Sequence, residues 1–280
     1  MPQRREDHLR VLVRAGCLFD GAAGSTPDGD DRIAGAGQPN DATARRETAC
    51  YVRRMYQGEQ IWRNVDQYFI DHLVHEDVAL ARARASSSST VMPDADVAPN
   101  QGAFLSVIAQ IAGARRVLEF GTLAGYSTIW LARAVGPTGT VVTLEIDGET
   151  AAVARENFER AGVADRVELI VGPASDSVRA LIDAGTEPFD LVFIDADKPN
   201  NPHYLDAALT LSKPGTVIIG DNVVRNGAIA NSHSDDPRVH GTWALIEKLG
   251  DDPAIAASAL QTVGLKGWDG FVIAVVRDVT

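Results

Sequence analysis

The sequence VLEFGTLAGYS, at residues 117–127, predicts a strand, a glycine-containing turn and the first turn of a helix. Gly121 and Gly125 permit a tight turn and a close approach of ligand to backbone, at the strand end where such sheets bind cofactors. The stretch lacks the spacing G-x-G-x-x-G, because Leu123 stands where a dinucleotide-binding loop has its middle glycine. The turn therefore indicates a cofactor site, although not specifically one for a dinucleotide.

The segments on either side alternate between apolar runs and stretches with helical composition. The apolar runs are at 117–120, 141–146, 167–171, 191–194 and 217–219, and helices are predicted at about 66–85, 101–111 and 242–249. Alternating strands and helices, with the strands apolar on both faces, predict a parallel, doubly wound α/β sheet. Two last runs, at 255–263 and 271–275, are joined by a link too short for a helical crossover, so these strands should pair antiparallel.

An acidic segment ends the second predicted strand. A carboxylate about twenty residues beyond the glycine turn, here Glu145, can accept hydrogen bonds from both hydroxyls of a ribose. This arrangement suits NAD and S-adenosylmethionine equally. The alternative is purely structural, in which Gly121 and Gly125 only turn the chain and Glu145 or Asp147 caps a helix.

Two short polar segments follow the fourth and fifth predicted strands, FIDADK at 193–198 and GDN at 220–222. The carboxyl ends of these strands should face one crevice, so Asp195, Asp221 and Asn222 can converge. Carboxylate and amide oxygens suit hard divalent cations such as Mg²⁺, Mn²⁺ or Ca²⁺ and leave positions for water or a bidentate substrate. Lys198 is close enough in sequence to serve there as a proton acceptor. The alternative is a solvated Asp-Lys turn, with Asp221 and Asn222 as ordinary loop caps.

Composition limits the class of protein. The chain has 280 residues, of which 45% are hydrophobic, and a formal net charge of -12, so we expect a globular protein that binds neither nucleic acid nor an anionic membrane. Cys17 and Cys50 precede the predicted core and the N-terminus lacks the apolar region of a signal peptide, which favours a reduced, cytoplasmic location. We predict a flexible N-terminal extension at 1–48 and a single domain at 49–280.

From about residue 60 to the C-terminus, the chain resembles the cation-dependent class I O-methyltransferases, the group that contains caffeoyl-CoA and catechol O-methyltransferases and their bacterial relatives. The most specific stretches are ARRVLEFGTLAGYSTIWLARAV at 114–135, FDLVFIDADKPNNPHYLDAALTLSKPGTVIIGDNVVRNG at 189–227 and GLKGWDGFVIAVV at 264–276. The resemblance implies a Rossmann-like, doubly wound, seven-stranded sheet, mostly parallel with an antiparallel last strand. Two departures are the extension at 1–48 and Phe120, which replaces a smaller aliphatic residue and should be accommodated by packing.

The resemblance also implies a role for each matching residue. The residues that would bind the cofactor S-adenosylmethionine are Val97, Glu119, Gly121, Thr122, Ser127, Glu145, Ala174 and Asp195. Within this set, Glu145 would hold the ribose and Ala174 would meet the adenine, while the methionine part would lie near Glu119, Gly121, Thr122 and Ser127. The metal ligands would be Asp195, Asp221 and Asn222, the catalytic residues Lys198 as base and Asp195, and the substrate-side residues Asp197 and Asn226.

The function implied is methyl transfer from S-adenosylmethionine to one hydroxyl of a vicinal aromatic diol, a small phenolic acceptor, with Mg²⁺ or another hard divalent cation. The resemblance further implies a homodimer, to which the predicted helix at 66–85 would contribute. One alternative is a nicotinamide-dependent oxidoreductase, which shares the sheet but gives no reason for Asp221 and Asn222. The other is a noncatalytic binding module with this fold, which the intact set of metal residues and Lys198 disfavours.

Overall fold

The computed structural model describes residues 58–278. The predicted extension at 1–48 and both cysteines lie outside the described residues, so the division into an extension and a single domain stays a prediction. Within 58–278, no helix has the length and apolar character needed to span a bilayer.

The described chain begins with three helices, then alternates between strands and helices, and ends with two consecutive strands. The helices are α1 (Gly58–Leu73), α2 (Val78–Ser86), α3 (Pro99–Ile111), α4 (Tyr126–Ala134), α5 (Gly148–Ala161), α6 (Ala174–Asp183), α7 (Asn201–Thr210) and α8 (Pro237–Asp251). The strands are β1 (Arg116–Phe120), β2 (Thr140–Glu145), β3 (Val167–Val171), β4 (Phe189–Ile194), β5 (Ser212–Asp221), β6 (Ile255–Gly264) and β7 (Gly267–Val276). Every apolar run predicted to be a strand forms one, because strand-forming residues in short runs bounded by turns have few other ways to be buried.

The single helix predicted at 66–85 is wrong. The structure has two helices there, since α1 ends at Leu73 and α2 begins at Val78. The extended residue Asp77 separates them, and its side chain accepts a hydrogen bond from the backbone N–H of Leu80 at 3.0 Å. An N-cap of this kind satisfies a free N–H group at the start of a new helix. Apolar spacing alone does not reveal the break.

The sheet has seven strands in the order β3-β2-β1-β4-β5-β7-β6. Strands β1 to β5 are parallel, and β7 is antiparallel to both of its neighbours, as predicted. Gly264 pairs with Gly267, so the β6–β7 hairpin turns at Leu265 and Lys266. The strand order reverses between β1 and β4, and in open α/β sheets this is the edge at which a crevice for ligands opens.

Helices cover both faces of the sheet. Alternate residues of β1 and β4 belong to two separate apolar clusters, one containing Leu118 and Val192 and the other Val117 and Leu191, as the two-residue period of a strand requires. Phe120 is fully buried and its ring lies 4.9 Å from that of Tyr204 on α7. The larger side chain at this position is therefore accommodated by packing, as expected.

Candidate active site

The glycine turn between β1 and α4 touches the end of β4. Gly121 has φ 96°, and a β-carbon there would lie 2.4 Å from the carbonyl oxygen of Asp195. The backbone N–H of Asp195 donates to the carbonyl of Phe120 at 2.9 Å. Both the backbone angle and the lack of space therefore require glycine at position 121. The predicted cofactor turn and the first predicted metal residue are in direct backbone contact.

Two buried side chains hold the next part of this turn. Leu123 has φ 50°, a conformation that L-residues rarely adopt, and its N–H donates to Glu145 Oε2 at 2.9 Å. Asn157, which is fully buried on α5, donates through Nδ2 to the carbonyl oxygen of Ala124 at 2.9 Å. The shape of the turn thus depends on residues outside the turn itself.

Glu145 and Asp147 have different tasks. Asp147 caps α5, because its side chain accepts a hydrogen bond from the N–H of Thr150 at 2.7 Å. Glu145 lies at the end of β2 and accepts one backbone N–H on each oxygen, from Leu123 and from Asp147. Each carboxylate oxygen has a second lone pair, so Glu145 retains the capacity to accept two ribose hydroxyls. The helix-capping alternative is right for Asp147 and wrong for Glu145.

Glu119 lies at the centre of a buried network of hydroxyl groups. Ser127, Thr128 and Thr143 all donate to its carboxylate, and Thr143 also exchanges a hydrogen bond with Thr122. Burial raises the pKa of Glu119 to about 7, although the three hydroxyl donors lower it and Asp195 raises it further. Thr122 and Ser127, two of the four residues predicted to lie near the methionine part, therefore belong to the same network as Glu119.

The two remaining cofactor candidates, Ala174 and Val97, lie on separate segments of the chain. Ala174 is the first residue of α6, and the preceding Gly172 donates its N–H to the carbonyl of Glu145 at 2.8 Å. The loops after β2 and β3 are therefore adjacent. Val97 is 5% exposed in the segment between α2 and α3. It borders a cavity that Asp221 and Asn222 also line.

Asp195, Lys198 and Asp221 come together at the ends of β4 and β5. Lys198 Nζ lies 2.8 Å from Asp195 Oδ1, and the Lys198 side chain is buried. The carboxylate of Asp221 accepts hydrogen bonds from Gln101 Nε2 and from the N–H of Asn222, both at 2.7 Å. Burial raises the pKa of Asp221 to about 7, and the negative charge of Asp195 raises it further while Lys198 lowers it.

This group of residues fits a hard divalent cation. A buried carboxyl group with a raised pKa next to a second carboxylate is an arrangement that a cation stabilises. Its oxygen donors, two carboxylates and the amide of Asn222, are of the kind that Mg²⁺ and Ca²⁺ accept. The residues at 58–278 contain no group of three or more His, Cys, Asp or Glu able to hold a metal ion.

The two predicted substrate-side residues are held by other parts of the protein. The carboxylate of Asp197 accepts hydrogen bonds from the hydroxyl of Tyr204 and from Asn200 Nδ2. Asn226 is exposed, and its backbone N–H donates to the carbonyl of Trp268 at 3.1 Å. These contacts do not test a role with substrate, so both assignments stay predictions.

A cavity of about 460 Å³ borders Asp221 and Asn222. Its walls come from the segment before α3, the start of α3 and the β6–β7 hairpin, and they include Val97 and Gln101. Phe104 and Phe271 form an aromatic part of the wall, with ring centroids 5.0 Å apart. A cavity of this size and mixed lining can accommodate a small aromatic molecule.

Sequence reasoning missed several residues that orient the site. These residues are Gln101, Thr128, Thr143 and Asn157. Thr143 lies two residues before Glu145 in β2, and residues two apart in a strand point to the same face, so the strand period could have placed Thr143 beside Glu145. Gln101 had no such signal, because its partner Asp221 lies 120 residues away.

Comparison with known proteins identifies the class. Residues 70–274 match the family model described as O-methyltransferase. The catechol O-methyltransferase of Niastella koreensis is 46% identical over 220 residues, which are 79% of this chain and 100% of the relative. The catechol O-methyltransferase of Mycobacterium tuberculosis is 51% identical over 214 residues, 76% of this chain and 96% of the relative.

A solved structure supports the same assignment. The O-methyltransferase from Bacillus cereus, in complex with SAH, has a TM-score of 0.76 and 51% identity, and the match covers 78% of this chain and 99% of that chain. The fold and the crevice define a Rossmann-like transferase. The chain belongs to the O-methyltransferase family and is an enzyme of that class. The family resemblance found in the sequence is confirmed.

Proposed function

We propose that this enzyme transfers a methyl group from S-adenosylmethionine to one hydroxyl of a catechol-like acceptor and requires a hard divalent cation. The observation that carries the proposal is the convergence of Asp195, Lys198 and Asp221 beside the glycine turn. The names of the two catechol O-methyltransferases and the SAH complex of the Bacillus cereus enzyme support the acceptor and the cofactor. Family membership favours methyl transfer over the nicotinamide and binding-module alternatives.

The crevice offers a consistent set of partners for S-adenosylmethionine. Glu145 would accept the ribose hydroxyls through its remaining lone pairs, and Ala174 would face the adenine. The amino-acid part would lie over Gly121, where no side chain intervenes, next to Thr122, Ser127 and the buried Glu119. Val97 would close the opposite side, and Asp195 would border the methionine end.

Asp195, Asp221 and Asn222 would hold Mg²⁺, with Mn²⁺ or Ca²⁺ as alternatives. A divalent cation bound there would lower the pKa of the reacting hydroxyl. The cavity beside Asp221 and Asn222 would receive the aromatic part of the acceptor. Its wall of Phe104 and Phe271 offers apolar area to a phenolic ring.

Lys198 would act as the general base. Its Nζ, uncharged at that step, takes the proton of the acceptor hydroxyl, while the hydroxyl oxygen forms a bond to the methyl carbon and the carbon–sulfur bond breaks. Asp195 positions the amine through a 2.8 Å contact, and burial of Lys198 excludes competing water. Much of the acceleration would come from holding oxygen and methyl at near-attack distance. Asp197 and Asn226 would contact the acceptor.

The test is a methyl-transfer screen over catechol-bearing acceptors, with Mg²⁺ and with EDTA. Asp195→Ala is expected to abolish turnover and retain most of the SAH affinity, and the exposed control Asp206→Ala is expected to behave as wild type. Normal turnover in EDTA or in Asp195→Ala would refute the cation mechanism. Calorimetric binding of NAD in place of SAH would refute the cofactor assignment.

We also propose that the enzyme forms a homodimer through α1. Ile61, Val65 and Tyr68 are 57%, 45% and 60% exposed, and their spacing of four and then three residues places them on one helical stripe. A second copy would cover this stripe, as the family resemblance implies. Light scattering should show a dimer for wild type and a monomer for Tyr68→Asp. The same mass for the variant and for wild type would exclude this interface. The cytoplasmic location stays a prediction.

A further inference from the structure

The segment at 222–227, here called the Asn222 loop, has an unusual backbone. Asn222, Arg225 and Asn226 have φ values of 55°, 53° and 53°, and Gly227 has φ 82°. Left-handed angles at residues with a β-carbon cost about 1 kcal/mol each, and they persist where surrounding structure holds them. The loop carries one predicted metal ligand, Asn222, and one predicted substrate residue, Asn226. The contacts that hold the Asn222 loop therefore determine how Asn222 and Asn226 are oriented towards the site.

The first residues of β7 hold the loop through a continuous set of backbone hydrogen bonds. Val223 donates its N–H to the carbonyl of Gly270 at 3.0 Å, and Asn226 donates to the carbonyl of Trp268 at 3.1 Å. Between them, Val224 and Arg225 donate to Oδ1 of Asp269 at 3.0 and 2.9 Å. All the N–H groups at 223–226 are therefore satisfied by residues 268–270.

Asp269 is central to this arrangement. Its Oδ1 also accepts the N–H of Gly270 at 3.0 Å, so one oxygen holds three backbone donors from both sides of the contact. The β5–β7 ladder ends at the pairing of Asp221 with Phe271, so Asp269 continues the contact just beyond the ligand position. A charged acceptor makes stronger hydrogen bonds to N–H groups than a neutral one.

We propose that Asp269 is a positioning residue for Asn222, and that it sets the affinity of the cation site without touching the cation. The inference rests on the proposed function, in which Asn222 is a ligand. Removal of the Asp269 carboxylate would leave the N–H groups of Val224 and Arg225 without an acceptor and allow the left-handed angles to relax. Outer contacts of this kind typically change metal affinity by about 10- to 100-fold.

The experiment measures Mn²⁺ and SAH binding to the full chain by calorimetry. Asp269→Ala is expected to raise the Kd for Mn²⁺ by about 10- to 100-fold and leave that for SAH within about twofold. Asp269→Asn keeps an acceptor oxygen and is expected to restore most of the Mn²⁺ affinity. The control is Gln261→Ala, which removes the hydrogen bond from Trp268 Nε1 in the same hairpin and should leave Mn²⁺ binding unchanged.

Hydrogen exchange of the wild-type amides at 223–226 tests the same contacts without a variant, and we expect slow exchange there. Three results would overturn the role of Asp269 and leave the cation site standing. They are an unchanged Mn²⁺ affinity in a folded Asp269→Ala, an equal loss of Mn²⁺ affinity in Gln261→Ala, and rapid exchange of the amides at 223–226. Failure of wild type to bind Mn²⁺ would overturn the cation site itself, and the inference with it.

Discussion

A β-carbon on Gly121 would lie 2.4 Å from the carbonyl oxygen of Asp195. The cofactor turn after β1 and the carboxylate after β4 are therefore built on touching backbones. Methyl transfer needs the methyl donor and the acceptor oxygen within a few tenths of an ångström of their reacting distance, and contact between the two binding elements provides that proximity.

Gly121→Ala should impair both stability and turnover. Ala at φ 96° costs about 1 kcal/mol, and the overlap with Asp195 forces the two backbones apart, so turnover should fall by about 100-fold. The control is Gly113→Ala, where φ is 61° and a β-carbon meets nothing within 4 Å. Urea unfolding and steady-state kinetics measure both variants. If Gly121→Ala and Gly113→Ala lose turnover equally, the overlap with Asp195 does not contribute and the backbone angle alone explains the loss.

Lys198→Met should remove the proposed general base with little change in packing. We expect kcat to fall by about 10²- to 10⁴-fold with SAH affinity unchanged, because proton transfer contributes an acceleration of that order. Lys213→Met is the matched control, since Lys213 pairs with Asp190 at 2.7 Å near the opposite end of the sheet. Single-turnover kinetics would reveal the loss. A Lys198→Met enzyme with normal kcat would assign the base elsewhere.

Glu145→Ala and Asp147→Ala should separate cofactor binding from helix capping. Loss of Glu145 would remove the two charge-assisted hydrogen bonds proposed to the ribose, so the Kd for SAH should rise by about 10- to 100-fold. Loss of Asp147 removes the cap of α5, which costs about 1 kcal/mol of stability and should leave SAH binding unchanged. Calorimetry and thermal unfolding distinguish the two. The ribose assignment is wrong if both variants bind SAH equally well.

Glu119 should make the stability of the protein depend on pH. Its pKa is raised from 4.5 to about 7, so the folded state binds the proton more tightly than the unfolded state. The stabilisation is complete below pH 4.5 and is lost as pH rises through 7, with a total on the order of 3 kcal/mol. Glu119→Gln cannot ionise, so its free energy of unfolding should decline less between pH 5 and 8. The prediction is contradicted if the free energy of unfolding changes with pH in the same way in Glu119→Gln and in wild type.

Much of the fold was predictable because it depends on local patterns. Short apolar runs, glycine turns and the brief link between the last two strands indicate strand positions and the antiparallel end of the sheet. The same reasoning failed at 74–77, where α1 ends and α2 begins. There the apolar spacing continues while the polar cap Asp77 interrupts the helix, and a cap is a weaker signal than a period.

Part of the candidate site was predictable for a topological reason. Strands β4 and β5 are parallel neighbours, so Asp195, directly after β4, and Asp221, the last residue of β5, meet at one edge of the sheet. Lys198 could be added because it lies three residues beyond Asp195. The resemblance to a family then supplied roles that spacing alone left open, such as that of Glu145.

Local patterns thus account for the strands, the turn and the chemical types of residue at the strand ends. Packing across the whole chain accounts for how those residues are oriented. Gln101 reaches Asp221 over 120 residues of sequence, and Asp269 reaches Val224 over 45. Such hydrogen bonds exist only because α3 and the β6–β7 hairpin pack beside the end of β5, and no short-range period encodes that placement.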